Sequence, residues 1–151
     1  MTSAVKTHAT DTTRKPHVEP LSMSIAAVRL PVGDIERAIS FYTRTLGWAK
    51  VQDASMGNGD RWVTVAPIGS PTAFSLTQDK APHSATEGGC FSGVILEVDD
   101  VYKTRDLLKA RGVAFTEEPR DMAWGSWAMF KDCEGNAHGL HSPLRERAST
   151  H

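Results

Sequence analysis

The chain has 151 residues and only two cysteines, Cys90 and Cys133. Two thiols cannot build a disulfide framework, and their scarcity fits a reducing, cytoplasmic setting. Charge of either sign is also scarce in excess: 17 Lys and Arg stand against 18 Asp and Glu, for a formal net charge of -1. A nucleic-acid binder needs many uncompensated cations to displace counterions, so nucleic acid is not expected as a partner. No apolar run approaches the roughly 20 residues of a membrane helix, which argues against a membrane partner. The opening stretch, residues 1–22, is polar, Thr-rich and aperiodic, without the basic start and apolar run of an export signal. It reads as a tail in which His8 and His17 are solvated, and residues 143–151 read as a second tail.

Between the tails the chain repeats its punctuation. Strand-like Ile25–Val32 leads to Asp34 as an N-cap, then to Ile35, Ala38, Ile39, Tyr42 and Leu46 at helical spacing, with Gly47 as the stop. Strand-like Val94–Val98 leads in the same way to Asp100, to Val101, Leu107, Leu108 and Ala110, and to Gly112. An offset of 66 lays Val32 on Val98, Asp34 on Asp100 and Gly59 on Gly125. Three strands follow each helix: 49–52, 61–65 and 72–77 in the first half, 114–116, 126–130 and 137–141 in the second. The fold class is therefore α+β, two βαβββ modules forming a cupped mixed sheet. Module one spans 23–80 and module two 91–142, with a Gly/Pro-rich linker at 81–90.

A βαβββ unit covers one sheet face with its helix and leaves the other bare, so two units set edge to edge can form a concave ligand site. Alternate strand residues share a face. Val28, Leu30 and Val32, like Val94, Leu96 and Val98, belong to the helix side. Arg29 and Glu97 fall on the cup side. By the same parity His141 faces the cup and His138 faces the helix.

These residues carry a resemblance. Val32-Gly-Asp34 with Ala38, Phe41-Tyr42 and Leu46-Gly47, then Val98-Asp-Asp100, Arg111-Gly112 and Phe130-Lys-Asp132-Cys-Glu-Gly135-Asn136, resemble the vicinal oxygen chelate superfamily. That superfamily holds glyoxalase I, extradiol dioxygenases, fosfomycin resistance enzymes and bleomycin resistance proteins. The resemblance implies a homodimer whose cups are completed between chains. It also implies a divalent metal, whose four ligand positions fall on Ala27, Ser75, Gly93 and Gly139. Ala and Gly offer no donor atom and a neutral Ser hydroxyl is a poor ligand, so no metal and no other cofactor is expected. The two glycines suggest space cleared for a ligand. Cys90, in the linker, and Cys133, in a turn, are expected to be free thiols.

The expected ligand-binding set is Arg29, Trp62, Thr64, Ser75, Trp124, Trp127 and Met129. Trp62 and Trp127 occupy comparable places in the modules and suggest two stacking walls for a flat ligand. Arg29 has two compatible readings: an ion pair with Glu97, or a contact to an anionic or carbonyl-bearing ligand. Arg120 and Asp121 read as a solvated turn. Three functions remain open. One is a metal-free binder of a small aromatic or amphipathic molecule, similar to the bleomycin-resistance branch. The second is a metal-independent enzyme with acid–base chemistry on Glu97 and His141. The third is a glyoxalase- or dioxygenase-type metalloenzyme, which the missing ligands disfavour.

Overall fold

The computed structural model describes residues 18–78 and 90–144. The linker up to residue 89 and both ends, including His8 and His17, lie outside the described residues. Module one runs β1 (Ala27–Val32), α1 (Ile35–Ser40), β2 (Ala49–Ser55), β3 (Arg61–Ala66) and β4 (Ala73–Gln78). Module two runs β5 (Cys90–Glu97), α2 (Val101–Ala110), β6 (Ala114–Met122), β7 (Gly125–Lys131) and β8 (Asn136–Ser142). Each module makes a four-stranded mixed sheet, ordered β1-β4-β3-β2 and β5-β8-β7-β6.

The helix caps work as their residue types require. Asp34 accepts from the Arg37 amide at 3.1 Å, and Asp100 accepts from the amides of Tyr102 and Lys103. At Phe41 the first helix widens into a π turn over Phe41–Thr45, with the Leu46 amide donating to the Phe41 carbonyl at 3.0 Å. Tyr42 is fully buried there, and its neighbours Phe41 and Leu46 pack against the cores of both modules. The helix-side residues of β1, β3 and β4, among them Leu30, Val63 and Phe74, make the first core; Val101, Ala128, Phe130 and Leu140 anchor the second.

Two boundaries differ from expectation. Cys90 is the first residue of β5, not of the linker. β6 runs on to Met122, so Arg120 and Asp121 belong to a strand rather than a turn. β6 is the edge of its sheet, where a polar stretch and Pro119 break no central ladder. The offset also drifts. Leu30 stands opposite Leu76 as Leu96 does opposite Leu140, which keeps 66 for β1/β5 and sets 64 for β4/β8. Thr64 pairs with Gln52 as Met129 does with Glu117, which sets 65 for β2/β6 and β3/β7 and replaces the Gly59–Gly125 match.

The modules meet through their helix-bearing sides, around a buried polar chain. The Tyr42 hydroxyl donates to Asp132 Oδ2 at 2.6 Å and lies 2.7 Å from His138 Nε2. Since the phenol proton goes to Asp132, His138 Nε2 carries the proton it shares with Tyr42. His138 Nδ1 then accepts from the Ser92 hydroxyl at 2.7 Å. Burial pushes the His138 imidazole down to about 4, against the opposing pull of Asp132, so the ring is neutral. Burial, with Asp132 second, raises the Tyr42 phenol well above its usual range. The turn after β7 completes the joint: Glu134 accepts from the amides of Gly33, at 2.9 Å, and Asp34, at 3.2 Å.

Candidate functional site

With the helix sides turned toward each other, the opposite face of each sheet is open, and the expected site residues divide between the two faces. In module one, Arg29 stands opposite Ser75, and Ser75 opposite Thr64, in one row across β1, β4 and β3. Thr64 is 3% exposed and its hydroxyl has no hydrogen-bond partner. Unpartnered buried hydroxyls are uncommon, and among the described residues Thr116 has the other one. Ser75, with Trp62 and Thr77 further along the strands, borders a cavity of about 720 Å³ that also reaches Met56, Gln78 and the start of α1 at Ile35 and Glu36. All its lining residues belong to module one, so within one chain the cavity does not join the two open faces.

In module two the matching row is Ile95, Gly139 and Met129, and two residues further along the strands Glu97, His141 and Trp127 stand in the next row on that face, on β5, β8 and β7. Glu97 takes His141 as its ion-pair partner, with Oε2 2.6 Å from Nδ1, in place of the expected Arg29. The reason is register: Glu97 and His141 are directly opposed on neighbouring strands. His141 Nε2 lies 3.1 Å from the Trp124 carbonyl. Both ring nitrogens thus face acceptors, and a ring serving both is protonated on both. The Glu97 contact first, and the Trp124 carbonyl second, raise the His141 pKa above its ordinary value. The Trp124 ring stacks on this imidazole, with centroids 5.7 Å apart and planes 24° apart. Gly125 permits the approach: at φ +139 it has no side chain, and a Cβ there would stand 2.3 Å from His141 Nε2.

Trp127 explains the most informative glycine. A Cβ on Gly139 would lie 2.3 Å from Trp127 Cη2, so the space at Gly139 is filled by this chain's own indole rather than cleared for a ligand. Trp124 stands beside Trp127 at 72°, centroids 5.5 Å apart, and the two indoles form a corner. Met129, opposite Gly139, shares that face. His138 lies on the helix side as its parity requires, away from this face. Cys133 is held in its turn with its thiol pushed up to about 12 by burial and by Asp132 and Glu134, which disfavours the thiolate that a ligand or nucleophile needs.

The residues present do not fit the metal that the fold family implies. Ala27 and Gly93 are equivalent positions, as are Ser75 and Gly139, and the only donor atom among the four side chains is one hydroxyl. Among the described residues no group of three or more His, Cys, Asp or Glu is set to hold a metal ion. Two residues escaped the sequence reading: Gln52 and Glu117, which accept from the indole N–H groups of Trp62 and Trp127, each at 2.8 Å. Gln52 ends the expected strand 49–52, but Glu117 lies beyond the expected 114–116, and each follows a break in register that hides its partner across the strands.

Paired βαβββ modules with an open face on each sheet define a ligand-accommodating architecture, and comparison with known proteins narrows it. The chain belongs to the Glyoxalase/Bleomycin resistance protein/Dioxygenase superfamily, whose family profile matches residues 24–138. It is 33% identical to the Bacillus subtilis protein YetH over 112 residues, 74% of this chain and 92% of that one. It is 28% identical to a lactoylglutathione lyase of Haemophilus influenzae, over 75% of this chain and 87% of that one. Among solved structures it is similar to TnmS3, an antibiotic binding protein from Streptomyces sp. CB03234, with a TM-score of 0.69 and 35% identity. That likeness covers 83% of this chain and 99% of TnmS3. No helix among the described residues is long and apolar enough to cross a membrane.

Proposed function

We propose that this protein binds a small, flat aromatic or amphipathic metabolite or drug without a metal, and protects the cell by sequestering it. The observation that carries the reading is Trp127 leaning over Gly139, which puts an aromatic side chain where a metalloenzyme of this family needs a donor. Arg29, Trp62, Thr64 and Ser75 are the ligand contacts on module one, and Trp124, Trp127 and Met129 those on module two. The unsatisfied Thr64 hydroxyl supports a polar ligand atom on the first face, and the indole corner supports a flat ring on the second. The two faces belong to one site if a second copy of the chain brings its module two against module one of the first, so the working form is a homodimer. The likeness to TnmS3, an antibiotic binding protein, supports sequestration, and we place it in the cytoplasm, with neither nucleic acid nor membrane as partner, on the balanced charge and two cysteines of the chain.

One observation favours acid–base catalysis as a second reading: the Glu97–His141 pair on the same face. His141 has no lone pair to offer while both nitrogens face acceptors, so the base would be Glu97. Native mass spectrometry of the protein recovered from an extract of cells fed aromatic natural products separates the two. A ligand released with its mass unchanged supports binding. Conversion that stops in Glu97→Gln while the complex persists supports the enzyme and overturns sequestration.

A further inference from the structure

The two indoles are held by the same device with unlike chemistry. Trp62 Nε1 donates to Gln52 Oε1 and Trp127 Nε1 donates to Glu117 Oε2, each at 2.8 Å. Gln52 stands opposite Thr64 and Glu117 opposite Met129, so the acceptors occupy equivalent positions. Each follows a break in register that leaves one residue unmatched, Val51 in β2 and Thr116 in β6. The internal repeat has therefore kept the geometry and changed the charge, an amide in one module and a carboxylate in the other.

That change acts on the ring. A carboxylate accepting from an indole N–H polarises the bond more than an amide oxygen does, and the electron density pushed into the π system makes its face more negative. Glu117 Oε1 lies 3.6 Å from Arg120 in an exposed pair, which offsets part of the charge and leaves Oε2 to the indole. Beside it, Trp124 already carries a flat nitrogen heterocycle, the His141 ring stacked at 5.7 Å. An electron-rich face attracts electron-poor or cationic rings and discriminates against electron-rich ones.

We propose that Trp127, with Glu117 as its positioning residue, is a subsite for a flat, electron-poor ring, and that Trp62 on Gln52 is a neutral counterpart without that preference. The proposal rests on the ligand-binding reading and names the class of ring that module two selects. Gly139 belongs to the device because a side chain there would displace the indole from its carboxylate.

Two neutral three-ring probes test it with the full chain: lumichrome, a heteroaromatic of low electron density, and 2-anthracenemethanol, an electron-rich one. Wild type is expected to bind lumichrome more tightly by about fivefold to tenfold, with a long-wavelength charge-transfer band. Glu117→Gln, which keeps an acceptor for the indole, lowers lumichrome affinity and the band while leaving 2-anthracenemethanol unchanged. Gln52→Glu does the reverse and adds preference at module one. Glu117→Met, checked for an unchanged melting temperature, frees the indole and weakens both probes. Equal wild-type affinities, or a preference that survives Glu117→Gln, overturn this inference and leave the ligand-binding reading standing. Failure of wild type to bind either probe overturns both.

Discussion

Removing one oxygen atom from Tyr42 tests how the modules are joined. The hydroxyl lies 2.6 Å from Asp132 and 2.7 Å from His138, and all three side chains are buried. In Tyr42→Phe the volume barely changes, so no cavity term enters. Asp132 keeps the Asn136 side-chain amide and the backbone amides of Glu134 and Asn136. What it loses is one charge-assisted bond, worth about 1.5–3 kcal/mol. His138 Nε2–H is left buried without an acceptor, at about 1–3 kcal/mol more. Relaxation of the joint recovers part of this, and the expected loss is about 2–4 kcal/mol, a large share of a typical domain stability of about 5–15 kcal/mol. Urea denaturation at pH 7 measures it, with an m-value like that of wild type. A loss below about 0.5 kcal/mol, the scale of an ordinary surface substitution, would refute the buried chain as the joint.

Three other outcomes follow from the same structure. The folded pKa of His138, about 4, lies below its unfolded value near 6.5. The unfolded chain therefore takes up a proton first, and stability falls as pH drops from about 6.5 to about 4, by about 3 kcal/mol from this group. Urea melts of His138→Gln across that window should show a flatter slope. Gly139→Ala forces Trp127 away from Glu117 and should cost about 1–3 kcal/mol, with a shifted Trp127 indole N–H resonance. His141 behaves oppositely to His138. Its folded pKa is raised, so its hold on the hairpin tip is complete below about 6.5 and lost as pH rises through the folded value. A pH titration followed by the Trp124 indole resonance should show that midpoint above 6.5, and Gln in place of His141 should abolish it.

How much of this was legible beforehand depends on whether a feature is coded along one strand or between strands. The caps at Asp34 and Asp100, the stops at Gly47 and Gly112, and the alternation in β1 and β5 are local, and they led to the two modules. The length of β6 was hidden because an edge strand tolerates the polar residues and Pro119 that look like a turn. Parity put Glu97 and His141 on the cup side; that they pair with each other depends on the parallel register of β5 with β8. Gly139 is the clearest case. Alone it signals an empty place, and only the position of Trp127 on the neighbouring strand reveals what fills it.

The exchange of a metal ligand for an aromatic surface at Gly139 is the centre of this account, and metal content tests it most directly. Protein purified from cells grown with added zinc, nickel, manganese and iron, then measured by inductively coupled plasma mass spectrometry, should contain no divalent metal above the buffer background. One equivalent of any of the four, retained through gel filtration and removed only by a chelator, would contradict it.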